Sequence, residues 1–185
     1  MDSSQIHKSI HELIHKLIHE AEGYEEAGDI EKAAAKYLDV VILLNDKDPR
    51  GDLCNDISVK VAEYYMELEE YSDAFVLLDD TIRFVKLTTD NTTHIKRWMV
   101  LSGITQILED GYGMKFIEKK IKDYQEIVLS FGDADPYYEL ISGILKCYDN
   151  NDSDSLTRVC QKYQDILDPV LVNLLLQIKL KIQKD

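Results

Sequence analysis

The chain has 185 residues, 45% of them hydrophobic and 30% charged, a balance that permits one domain with a continuous core and argues against disorder. Its 21 Lys and Arg against 35 Asp and Glu leave a formal charge of −14, which disfavours nucleic acid and anionic lipid surfaces as partners, although a local basic face is compatible with an acidic whole. Cys54, Cys147 and Cys160 contain no C-x-x-C pair, so small buried thiols in a reducing compartment are expected rather than a disulfide framework. The first residues lack the basic and apolar regions of a signal peptide, no window nears 18 uninterrupted apolar residues, and Asp2 precludes N-myristoylation. A cytoplasmic protein is expected, peripheral on membranes only through protein partners.

Three prolines and eight glycines leave long stretches in which apolar residues recur three and four apart, while alternating runs are absent, so the chain is expected to be all-α with about nine helices. The first helix, up to Gly28-Asp29, repeats Ile-His-x-x four times, placing His7, His11, His15 and His19 on one stripe. Within it, His11-Glu12-Leu13-Ile14-His15 matches H-E-x-x-H, the spacing that sets two imidazoles around zinc with a glutamate as base. A zinc peptidase needs a third protein ligand and a substrate-binding strand as well, and neither is visible in the sequence. Chelation by an imidazole pair and a plain exposed stripe beside an isoleucine seam both remain open; no metal and no cofactor are assigned.

Further breaks are expected at 45–51, at Glu69-Glu70, at 88–93, at 110–113, at 132–136, at 149–154 and before Pro169. Pro136 and Pro169 suit the first turn of a helix, where the missing N–H has no helical partner. Gly111 and Gly113 read as a helix stop, and Asp133, Asp135, Asp149, Asp152 and Asp154 as cap residues rather than a calcium loop.

A shift of 41 residues superposes Tyr24, Ile30, Ala33, Ala34 and Tyr37 on Tyr65, Tyr71, Ala74, Phe75 and Leu78. Small residues at Ala33 and Ala74 allow close helix approach while tyrosines fill the groove, which is the pattern of a helical-hairpin repeat. A weaker third copy covers Trp98 to Ile107 and Phe116 to Ile127. The expected architecture is a tetratricopeptide-like right-handed superhelix of antiparallel hairpins over residues 1–130, ending in a small helical bundle over 131–185, as one domain.

Three segments carry a specific likeness. Lys122-Asp123-Tyr124-Gln125-Glu126-Ile127-Val128-Leu129-Ser130-Phe131-Gly132-Asp133 is followed by Gln161-Lys162-Tyr163-Gln164-Asp165-Ile166-Leu167-Asp168 and by Leu174-Leu175-Leu176-Gln177-Ile178-Lys179. Together with Asp29-Ile30-Glu31-Lys32-Ala33 and Val59-Lys60-Val61-Ala62-Glu63-Tyr64 they resemble the middle and C-terminal helices of the alpha-SNAP family, without its N-terminal hairpins. The resemblance implies a non-enzymatic adaptor whose concave face holds a four-helix SNARE bundle largely by charge, and whose C-terminal end recruits the AAA ATPase NSF. By position, Lys16, Lys60 and Lys96 fall on the concave face and Asp149 on the ATPase-facing end. The pattern is departed from at Asp56 and Asp135, where the family places basic residues, at Lys146 and Asn150, and at the end of the chain, which lacks an acidic tail. Those departures leave a second reading in view, a helical-repeat scaffold for some other protein partner.

Overall fold

The computed structural model describes residues 3–45, 51–85 and 92–184. The expected breaks at 46–50 and 88–91 and the side chain of His7 lie outside them. Nine α-helices and no strand occur among the described residues: α1 (Ser3–Glu26), α2 (Ile30–Asn45), α3 (Asp52–Glu67), α4 (Tyr71–Phe84), α5 (Thr92–Leu108), α6 (Met114–Ile127), α7 (Pro136–Asp149), α8 (Ser153–Lys162) and α9 (Pro169–Ile182), with one 3₁₀ turn at Gln164–Ile166. Each of the first five helices packs on the next, as stacked hairpins require.

The repeat is written in the turns. Among the described residues, Gly28, Glu69 and Asn151 are those with positive φ, at 75°, 62° and 51°. Gly28 and Glu69 stand 41 residues apart, and Asn151 follows Glu69 by twice that interval. Each turn closes with the same long backbone bond, from Asp29 N to Tyr24 O at 2.9 Å, from Glu70 N to Tyr65 O at 2.8 Å and from Asp152 N to Cys147 O at 2.9 Å. This is the left-handed C-terminal closure that satisfies orphan carbonyls at a helix end. After the first two turns Ala33 and Ala74 are fully buried, so the second helix of each hairpin lies close against the first.

Two buried clusters form the interior. One joins α1, α2 and α3 through Ile14, Leu17, Ala21, Tyr37, Val40 and Val61. The other runs from α3 to the C-terminus, with Tyr124, Val128 and Phe131 sharing it with Leu140, Ile141 and Leu156. Tyr65 and Leu77 pack against both. Burying each large aliphatic side chain contributes about 1.5–3 kcal/mol before the entropy of ordering it is charged.

The pivot is α5, in which every residue from Trp98 to Ile107 is buried. A helix apolar on all sides belongs in an interior, and α5 is packed by α4, α6, α7 and α9. Gly103 allows the tightest of these contacts: a Cβ there would lie 2.8 Å from Ile141 Cδ1 and 3.2 Å from Ile121 Cδ1. Within its buried stretch Ser102 Oγ bonds Tyr124 Oη of α6 at 2.7 Å and Gln106 Nε2 donates to Ser102 O at 2.9 Å, while Gln106 Oε1 has no partner among the described residues. Tyr124 in turn donates to Asp79 at 3.0 Å, beside Lys120 at 3.1 Å. Burial raises the Tyr124 hydroxyl pKa, and the Asp79 carboxylate adds to the rise.

Candidate partner-binding surface

Helices α1, α3 and α5 open successive hairpins, and their side chains are joined by a ladder of alternating charge. Glu25 of α1 accepts from Lys60 Nζ of α3 at 2.7 Å and from Tyr37 Oη of α2 at 3.1 Å. The same ammonium lies 4.5 Å from the centre of the Tyr37 ring, which stacks on Tyr64 at 6.1 Å. Burial lowers the Lys60 pKa, but its bonds to Glu25 and Tyr37 outweigh that and raise it, so it stays an ammonium.

One turn beyond Lys60 on the same helix, Glu63 holds Arg97 Nη1 of α5 at 2.8 Å. The Nε of Arg97 donates to Asp168, whose other oxygen caps α9 by accepting from Val170 N at 2.9 Å and Leu171 N at 3.1 Å. Burial opposes the Arg97 charge, and Asp168 and Glu63 more than offset it. Beside this rung, Lys96 Nζ donates to Asp135 at 2.5 Å, and the free oxygen of Asp135 caps α7 through Tyr137 N and Tyr138 N.

The sequence-derived lysines are therefore placed differently from one another. Lys60 and Lys96 belong to this ladder and its flank, each with an acidic partner. Lys16, the most open of the three with 72% of its side chain exposed, meets Glu20 at 3.6 Å, and Glu20 also binds Lys36 of α2. Lys16 and Glu25 are nine residues apart, half a turn out of phase at ~100° per residue, so α1 carries them on opposite sides. Lys96 is largely buried, its side chain 15% exposed against 8% for Asp135. Asp56 is exposed one turn before Lys60. Asp149, exposed at the end of α7, lines a groove between α6 and α7 with Lys146, Asn150, Glu118 and Lys122.

Glu25, Glu63, Arg97 and Asp168 were not singled out from the sequence. Only Asp168, standing before a proline, carried a local signal, that of an N-cap. Of the proposed cap residues, Asp135 and Asp152 cap α7 and α8, whereas Asp154 lies in the first turn of α8 and Asp149 in the last turn of α7.

At the H-E-x-x-H motif, His11 and His15 are exposed on α1 with ring centres 4.6 Å apart, while Ile14, Leu17 and Ala21 turn inward. No group of three or more potential metal ligands occurs among the described residues.

Stacked hairpins, a polar surface organised by ion pairs and cap-bound carboxylates define a helical-repeat protein of the tetratricopeptide-like kind. Residues 15–183 match the family model described as "Soluble NSF attachment protein, SNAP", and the chain belongs to that family. No curated protein matches the chain. Among the described residues no helix is long and apolar enough to cross a membrane.

Proposed function

We propose that the chain is a non-enzymatic adaptor that holds a SNARE-type helical bundle on the face opened by α1, α3 and α5 and recruits an NSF-type AAA ATPase at its C-terminal end. The observation that carries this reading is the family match across residues 15–183, because the family is described as attaching to NSF. On this reading the chain works as one domain, hairpins over 1–130 gripping the bundle and the helices of 131–185 facing the ATPase, in the cytoplasm and on membranes only through its partners. Nucleic acid has no part in it, given the charge of −14.

On that face Lys60 offers an ammonium group to an acidic bundle and Lys96 joins it by exchanging Asp135 for a partner carboxylate, while Lys16, on the other side of α1 from Glu25, adds positive potential only at the rim. Asp149 presents the negative end. Recognition of this kind tolerates sequence variation, since it rests on complementary potential. A scaffold for a different helical partner is the second reading, favoured by one observation: Lys60 and Lys96 already have internal acids, and Asp56 and Asp135 are acidic.

Co-sedimentation of the purified chain with an assembled SNARE bundle, alone and with NSF, at low and moderate salt, tests the proposal. Wild type is expected to bind, Lys60→Glu to lose most of that binding and Lys16→Glu to lose less. If neither bundle nor ATPase is retained at either salt concentration, the proposal fails; retention of an unrelated helical protein in its place establishes the second reading.

A further inference from the structure

We propose that the cleft between α2, α3 and α4 is a second docking site, for a peptide segment that carries an aliphatic residue next to an arginine or lysine. The cleft encloses about 360 Å³ and lies away from the charge ladder, since Ser58 and Lys60, two residues apart on α3, leave the helix on different sides. At its floor stands Asn55, 4% exposed, whose Nδ2 has no acceptor among the described residues. A buried amide donor without a partner is costly, and an incoming carbonyl oxygen removes that cost.

One turn along, Ser58 Oγ donates to Cys54 O at 2.8 Å, which leaves its lone pairs for an incoming N–H. Asn55 and Ser58 thus offer a donor and an acceptor to the C=O and N–H of one residue in an extended segment, which point the same way. Val41 and Leu77 supply an apolar wall for the aliphatic side chain. At the rim, Asp80 is exposed and has no cationic partner among the described residues, and Phe84, one turn further on α4, exposes 51% of its surface. A carboxylate beside an open ring selects a cation, by charge and by the ring face. Among the described residues no basic one lines the cleft, and the chain as a whole is acidic, which disfavours an acidic segment.

Nuclear magnetic resonance of the isotope-labelled full chain tests this with two probes, acetyl-Leu-Arg-Leu-amide and acetyl-Leu-Glu-Leu-amide at millimolar concentration. The arginine probe is expected to shift the Asn55 side-chain amide and the Leu77 methyl signals, and the glutamate probe to leave them in place. Asp80→Lys should weaken the arginine probe at least tenfold and admit the glutamate probe. Asn55→Leu should lower affinity while raising the melting temperature, because it removes the orphaned donor, and this separates lost recognition from lost folding. Lys60→Glu should leave the shifts unchanged, so that failure here is distinct from failure of the adaptor reading. Equal responses to both probes, shifts confined to other helices, or an unaltered arginine response in Asp80→Lys would overturn the proposal.

Discussion

Arg97 of α5 holds two carboxylates at once, Glu63 of α3 at 2.8 Å and Asp168, the residue that caps α9. A planar guanidinium can serve both with separate N–H groups, which a lysine ammonium at the same place would do less well. Helices far apart in sequence are tied by one side chain, so its removal leaves two partly buried carboxylates facing each other. Arg97→Met is expected to lower unfolding free energy by about 2–3 kcal/mol, below the full cost of breaking a fully buried pair because all three groups keep some solvent contact. Urea unfolding at neutral pH checks this; Arg97→Lys should recover part of the loss.

The Lys96–Asp135 pair is predicted to be asymmetric. Asp135→Ala deletes the cap of α7 and strands an ammonium whose side chain is only 15% exposed, a combined loss of about 3 kcal/mol. Lys96→Met leaves Asp135 bonded to Tyr137 N and Tyr138 N and keeps the methylene packing, so about 1 kcal/mol is expected. Equal losses in paired unfolding curves would show that the cap contributes nothing beyond the ion pair.

Glu69 occupies, without help from its side chain, the backbone state that Gly28 occupies one repeat earlier. Left-handed φ costs a non-glycine residue about 1–2 kcal/mol. Glu69→Gly is therefore expected to stabilise the protein by ~1 kcal/mol, offset in part by added freedom of the unfolded chain, and Gly28→Glu to destabilise it. Thermal melts of the two variants should move in opposite directions.

Acid should weaken the fold through its paired carboxylates. Asp168 is pushed up by burial, but the Arg97 bond and the Leu171 and Val170 amides prevail and hold its pKa below the ordinary range. The Tyr163 hydroxyl and then the Lys162 ammonium lower that of Glu139. With the folded pKa below the unfolded one, the unfolded chain binds protons first as pH falls, so this stabilisation is complete above about pH 4–5 and is lost as pH drops further. Urea midpoints should be nearly level from about pH 7 to 5 and fall below about pH 4, less steeply in Asp168→Asn.

Much of the hairpin array was legible in the sequence, and for a physical reason: its signals are local. The 41-residue register of Ala33 on Ala74 and of Tyr24 on Tyr65 reports spacing within one helix pair, and the turns at Gly28 and Glu69 confirm it with the same hydrogen bond. Pro136 and Pro169 marked helix starts through backbone chemistry that needs no distant partner. The charge ladder was not legible, because Glu25 meeting Lys60, or Arg97 meeting Asp168, depends on how helices are rotated against one another. Lys96 illustrates the limit: sequence position marked it as a surface cation, and the fold places it under Asp135. Nothing in its neighbours in sequence distinguished it from Lys16, which stays open to solvent.

Among the described residues, Tyr65 and Leu77 are the side chains that pack against both buried clusters. A chain built this way should lose its order from one end: amide protons of α1 and α2 exchange with solvent while α5, enclosed by four neighbours, still protects its own. The C-terminal half would then be the last part to open to solvent under native conditions.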